Sequence, residues 1–241
     1  MASHKDKDDV VAKLDSSDMV DMHTHSFLSD GELVPEELVR RVEAVGYRML
    51  AIADHVGISN AETTVPQLVK LARSLRGKGG VQVLPGAEVT HVRPELAARA
   101  VALARKCGAA VVVGHGETIV EPVLAGTNRA LIEAGVDILA HPGLIDEADA
   151  ALAAKRGVCL EISGRKGHCY TNGHVLAMGR KTGAKLVYGS DGHDVGDYPT
   201  RRQAEQVAFG AGMTPEEVDQ MFDNAEELFR ARLRKGTLPA R

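Results

Sequence analysis

An α/β barrel is the fold this chain predicts, and three observations point to it. Short apolar runs alternate with amphipathic helical stretches from about residue 19 onward, the runs are continuously apolar, and polar residues gather where each run ends. Continuously apolar strands separated by helices belong to a parallel sheet covered on its outer face, because every parallel crossover needs a helix to return the chain. The 241-residue length agrees, since such barrels commonly run to roughly 250 residues. An open doubly wound sheet would announce itself by a glycine-rich phosphate loop after the first strand. The first run is followed instead by HTHSFLSDG.

Residues 1–17 are polar and charged with a short apolar hint in VVAKL, and read as a flexible arm or a short cover helix. Residues 18–241 read as a single barrel domain with additional C-terminal helices. Seven strands are expected within residues 19–25, 49–55, 81–88, 109–117, 136–143, 158–164 and 185–193. Between them, residues 35–47, 65–79, 94–108, 127–135, 147–157 and 172–183 carry apolar side chains at helical spacing, several opening on Pro or Asn and closing on Gly. Two further helices are expected in 199–212 and 214–236, the second with Thr214 as N-cap, Pro215 at its first position and glutamates behind it.

Composition excludes several classes of function. Lysine and arginine number 29 against 33 aspartates and glutamates, a net charge of −4 that gives no global basic field for nucleic acid. Cys107, Cys159 and Cys169 form no CxxC pair and read as reduced thiols. No apolar run approaches the roughly 20 residues of a membrane span, and the N-terminus lacks the apolar stretch of a secretion signal. A soluble, cytoplasmic protein is expected.

The polar residues at the strand ends carry the chemistry. In order they are His23 and His25, His55, Glu88, His115, His141, Glu161, and Asp191 with His193, while Asp30 comes from the first loop. In a βα barrel all C-terminal strand ends share one face, so these residues would converge on one pocket. A single histidine at a strand end is ordinarily a hydrogen-bonded structural residue. Here six of the ten histidines occupy that position, and only His4, His91, His168 and His174 fall outside it. Imidazoles and carboxylates without thiolates suit zinc, manganese or iron, and match poorly the all-oxygen shells of calcium and magnesium. Eight or nine donors exceed the needs of one ion, so two or three divalent cations are expected, with a carboxylate such as Glu88 bridging. Asp21 and Asp54 either point to the opposite strand face or support the ligands from behind.

The motifs DMHTHSFLSDGEL, AIADH, LPGAE, GHGE, AHPG and GSDGH, in this order over residues 19–194, resemble the PHP family, named for polymerase and histidinol phosphatase. The resemblance implies a distorted seven-stranded TIM-like barrel and a three-metal site. By that resemblance His23, His25, Glu88 and Asp191 would hold a first ion, Glu88, His115 and His141 a second, and Asp30, His55 and His193 a third.

Both lines of argument suggest phosphoester hydrolysis with Glu88, Asp191 and His193 at the reacting centre. Two ions close together can share a hydroxide and neutralise charge on the phosphoryl oxygens, and no GxSxG elbow or Cys-His pattern suggests a covalent route. Arg165 and Lys166 follow the sixth strand, and Arg165 could grip phosphate through two parallel hydrogen bonds. His168 in the same loop is a candidate proton donor to the leaving alkoxide, with a solvated surface position as the alternative. Glu161 reads as a core carboxylate paired with a neighbour, Glu117 as support for His115 or part of the pocket wall, and His91 as an entrance or exposed residue. Arg201 and Arg202 either extend the phosphate-binding surface or cap the next helix.

A small phosphomonoester is the expected substrate, histidinol phosphate being the one the resemblance suggests. A nuclease or nucleotide phosphodiesterase would use the same metals but wants an aromatic-lined track, which 3% aromatic content without tryptophan disfavours. A noncatalytic binding subunit is the third reading, against which the full donor set argues. A metal-dependent hydrolase of C–N bonds is the fourth; such barrels expect a carboxylated lysine where this chain has Glu88.

Overall fold

The computed structural model describes residues 19–234; the expected N-terminal arm lies outside the described residues. Eight parallel strands, β1 (Met19–Thr24), β2 (Tyr47–Ile52), β3 (His55–Val56), β4 (Gln82–Val89), β5 (Val111–His115), β6 (Ile138–Ala140), β7 (Cys159–Ser163) and β8 (Leu186–Gly189), make one sheet in the order β1-β2-β4-β5-β6-β7-β8. The two-residue β3 continues the line of β2 and pairs with β4, so the barrel has seven staves. It is nearly closed: Thr24 bridges Gly192, and His25 N–H donates to the Gly192 carbonyl at 2.9 Å.

The helices are α1 (Pro35–Val45), α2 (Ala61–Leu75), α3 (Ala97–Cys107), α4 (Thr127–Ala134), α5 (Glu147–Arg156), α6 (Asn172–Thr182), α7 (Arg201–Gly210) and α8 (Pro215–Arg234). Each of the seven expected apolar runs supplies a stave, but two elements differ from the pattern in the sequence. Residues 49–55 are not one strand, because the chain breaks at Ala53 and Asp54 to change partners: Ala53 N–H donates to Thr24, and the Asp54 carbonyl accepts from Glu88 N–H. The helix expected from residue 65 begins at Ala61, with Pro66 inside it. Asn60 makes this earlier start: its side chain accepts from Gly57 N–H at 2.8 Å and donates to the His55 carbonyl at 2.9 Å. Pro66 is the sixth helical residue, past the N–H groups that a helix start leaves unpaired, so the Glu62 carbonyl loses its i+4 donor.

Two apolar layers hold the barrel. The outer one packs Leu50, Val112, Leu139 and Leu160 against helix residues such as Leu38, Leu68 and Leu131. The other joins Met22, Val111, Val113, Ile138 and Val187 to Ala225 and Phe229 of α8. Thr214 caps α8 reciprocally with Glu217 as the sequence predicts. Helix α8 covers the N-terminal end of the barrel: Asn224 donates to the carbonyl of Leu186, the first residue of β8, at 2.9 Å. Farther along, Arg232 pairs with Asp137, which precedes β6 and also accepts from Arg105 at 2.6 Å and Val112 N–H at 2.7 Å. With that end plugged, the C-terminal strand ends are left open for chemistry.

Removing the buried Asp137 carboxylate strands two guanidiniums and a backbone N–H at once. Asp137→Ala is therefore expected to lower unfolding free energy by roughly 3 kcal/mol, read as a reduced urea midpoint with an unchanged m-value; a midpoint within error of wild type would show that α8 is not clasped this way.

Candidate metal centre

The strand-end donors meet, as the topology requires. Nε2 of His23 and Nε2 of His25 face each other at 3.0 Å. His23 Nε2 lies 3.4 Å from Glu88 Oε1, and His25 Nε2 lies 3.2 Å from Asp191 Oδ1. His141 Nε2 stands 3.5 Å from the same Glu88 oxygen. On the other side Asp30 Oδ1 is 3.2 Å from His193 Nε2 and 3.4 Å from His55 Nε2. Donors sharing a tetrahedral zinc with bonds of about 2.0–2.1 Å lie about 3.3 Å apart, and these spacings are compatible with that geometry.

Four sets taken from this cluster have donor atoms near enough to share an ion: His25, Asp30, His55 and His193; His23, His25 and Asp191; Glu88, His115 and His141; and His23, His141 and Glu161. Nδ1 of His25, Nδ1 of His115, Nδ1 of His141 and Oε1 of Glu88 are buried with no hydrogen-bond partner among the described residues. Buried polar atoms are rarely left unpaired. The donor chemistry fits divalent cations, and of the unpaired atoms Glu88 Oε1 lies among the converging donors, 3.4 Å from His23 Nε2 and 3.5 Å from His141 Nε2.

Other residues hold the donors in place. Glu161 is fully buried and accepts from His23 Nδ1 at 2.7 Å, which fixes the tautomer that turns the Nε2 lone pair inward. Gly189 has to be a glycine beside this pair, since a side chain there would strike the Glu161 carboxylate and approach Cβ of His23 to 3.0 Å. Asp54 accepts from Ser26 N–H, Ser26 Oγ and Ser29 Oγ, each at 2.7 Å, and so shapes the loop that presents Asp30. Asp21 accepts from His23 N–H at 3.1 Å and Ser190 N–H at 3.2 Å, tying β1 to the end of β8. His141 at φ 27° and Asp191 at φ 51° adopt backbone conformations uncommon outside glycine, so packing holds both donors under strain.

The electrostatics follow from burial against charge. Burial opposes ionisation of Glu88, yet His23, His55, His115 and His141 hold its carboxyl well below the usual range. Asp191 is likewise lowered despite burial, chiefly by His23 and His25. Burial lowers His25 to about 3, leaving a neutral imidazole with a free lone pair. For His55 burial is outweighed by Glu88 and Asp30, which raise it to about 10.

Several residues stand differently from their sequence reading. His168 is not at the surface: it is buried, stacks on His141 with ring centroids 4.1 Å apart, and bonds Thr118 Oγ1 through Nδ1 at 2.7 Å. Burial and the His141 ring lower it to about 4. Glu117 does not support His115; it exchanges hydrogen bonds with Asn128 at the start of α4. Arg201 pairs with Glu205 at 2.9 Å and lies over the Phe222 ring, which removes it from the phosphate surface. Arg165 does reach the centre, donating through Nη1 to the Asp191 carbonyl at 3.0 Å, while Lys166 is exposed. Glu121 was not legible at all: it follows no strand, yet its carboxylate contacts His91, His115 and His168. The His115 hydrogen bond outweighs burial and, with His168 and His91, lowers Glu121 to about 2.

A parallel barrel with buried imidazoles and carboxylates at its C-terminal rim defines the class of metal-site TIM-like barrels. The PHP domain family model matches residues 21–163, and the chain belongs to that family. An uncharacterized protein of Methanocaldococcus jannaschii, MJ1295, is 39% identical over 201 residues, covering 83% of this chain and 92% of that one. Among solved structures, a chain of archaeal ribonuclease P with mature tRNA superposes with a TM-score of 0.65 at 16% identity, covering 88% of this chain and 90% of its own. Histidinol phosphate phosphatase from Lactococcus lactis, solved with zinc, L-histidinol and phosphate, gives 0.57 at 15% identity, covering 81% and 94%. These structural likenesses establish the shared fold.

Because Glu161 acts through His23, Glu161→Gln is expected to weaken zinc binding roughly 10-fold to 100-fold in chelator competition while leaving the circular dichroism spectrum unchanged. Equal zinc affinity in variant and wild type would mean that the His23–Glu161 bond serves folding alone.

Proposed function

We propose that this protein is a metal-dependent phosphoester hydrolase acting on a small phosphomonoester, histidinol phosphate or a chemical relative. The observation that carries the reading is the convergence of His23, His25, Glu88 and Asp191 with unsatisfied buried lone pairs, directly beside the guanidinium of Arg165. In this reading His23, His25, Glu88 and Asp191 hold a first cation, Glu88, His115 and His141 a second, and Asp30, His55 and His193 a third; zinc, manganese and iron all suit the donors. Bound there, such cations supply Lewis acidity toward a phosphoryl oxygen and acidify water near neutral pH.

The chain's own groups prepare the rest. Arg165 is half-buried, and its Nη1 is anchored on the Asp191 carbonyl, which leaves other N–H groups to grip phosphate oxygens. His193 Nδ1 lies 2.9 Å from the same carbonyl and also contacts Arg165 Nη1, while its Nε2 lies 3.2 Å from Asp30 Oδ1, toward the third cation position. A cleft of about 500 Å³, lined by Asp30, His55, Ser59, Asn60, His91 and Glu121 among others, opens beside the donors. Its size suits a small substrate. Among the described residues no helix is long and apolar enough to cross a membrane.

Phosphate release by the full-length protein loaded with zinc, manganese or iron tests the reading across histidinol phosphate, other phosphomonoesters, mononucleotides and short oligonucleotides. Turnover of phosphomonoesters is expected; metal-loaded protein inert toward all of them contradicts it, and cleavage of oligonucleotides alone favours the nuclease reading. His25→Ala and Asp191→Ala should each reduce release to background with secondary structure retained. Arg165→Ala should raise KM about 10-fold to 100-fold, the loss of one charge-assisted hydrogen bond.

A further inference from the structure

The second cation position has three donors, one fewer than the first, and the structure places an unassigned carboxylate beside His115, one of them. Glu88 comes within 4 Å of His23, His25, His55 and His141. Among the described residues, the carboxylate against His115 is Glu121, whose Oε2 lies 3.0 Å from His115 Nε2. The same oxygen is 3.2 Å from Nε2 of His91, and the three groups have donor atoms close enough to share one ion. These spacings repeat the 3.2 Å and 3.4 Å edges of His25–Asp191 and His23–Glu88.

Two further observations single out this trio. His115 is 3% exposed and turns Nε2 toward Glu121, while its Nδ1 has no hydrogen-bond partner among the described residues, so no protein hydrogen bond at Nδ1 competes for the ring's orientation. His91 sits at φ 50°, and among the described residues the other non-glycine positions in that region are His141 and Asp191, both in the donor set. Strained backbone of this kind costs about 1–3 kcal/mol and persists where the surroundings demand a side-chain position.

We propose that Glu121 is a further ligand of the cation held by His115, and that His91 is a second additional donor to it from the cleft wall. Glu121 approaches from the loop between β5 and α4 and His91 from the loop after β4, so both would reach the ion from loops that line the cleft. The inference rests on the metal-centre reading above and extends it to residues that precede or follow the strand-end positions.

Zinc titration of chelator-stripped full-length protein, followed by isothermal titration calorimetry and by metal counting after dialysis, tests it. Glu121→Gln should weaken one zinc equivalent at least 10-fold, and His91→Ala should weaken the same equivalent by less. Glu121→Asp should restore part of the loss. His25→Ala, combined with Glu121→Gln, should weaken two equivalents rather than one. Wild-type affinity for every equivalent in Glu121→Gln would overturn the proposal and leave the trio as a fastening for two loops. Should Glu121→Gln not fold, Glu121→Asp and His91→Ala make the same comparison. A wild-type protein that holds zinc but releases no phosphate defeats the hydrolase reading and leaves this comparison intact.

Discussion

Glu88 carries a carboxylate at 0% exposure inside a ring of histidines, and the rest of the site is built around that charge. A buried anion without compensation is untenable in a protein interior. Against burial, Glu161, Glu88 and Asp191 raise His23, and Glu88 with Asp30 raises His55 to about 10, so protonated imidazoles neutralise part of that charge, whereas burial leaves His25 neutral. At the 3.0 Å His23–His25 contact one Nε2 donates and the other accepts. Divalent cations bound there would take over from those protons the compensation of Glu88 and Asp191.

The fold supplies this confrontation by dividing the barrel into two ends. Helix α8 and the Asp137 clasp occupy the N-terminal end, where packing and ion pairing serve stability. The opposite end carries donors on six of the seven staves, and a second tier of Asp21, Asp54 and, from the seventh, Glu161 keeps them from relaxing apart. Strain is confined there too, at His91, His141 and Asp191. Stability and chemistry are thus assigned to opposite ends of one sheet, the usual division in βα barrels.

Strand-borne features were legible in the sequence because their signal is local. Apolar runs fix the staves, and the side chain closing each run must face the C-terminal rim, so His23, His55, Glu88, His115 and Asp191 could be grouped before any coordinates. Loop residues carry no such register. Glu121 and His168 reach the centre through turns whose paths depend on tertiary contacts such as Thr118 with His168, and neither could be placed from spacing. Glu117 misled for the converse reason: adjacency to His115 suggested support, whereas Asn128 captures it. The break between β2 and β3 escaped because the apolar run continues across a change of hydrogen-bonding partner.

X-ray absorption at the zinc edge of the zinc-loaded protein tests the central claim most directly. The account predicts a first shell of nitrogen and oxygen alone, at about 2.0–2.2 Å, with metal–metal scattering near about 3.5–4 Å. Sulfur in that shell, implicating Cys107, Cys159 or Cys169, or isolated zinc without a metal neighbour, would contradict it.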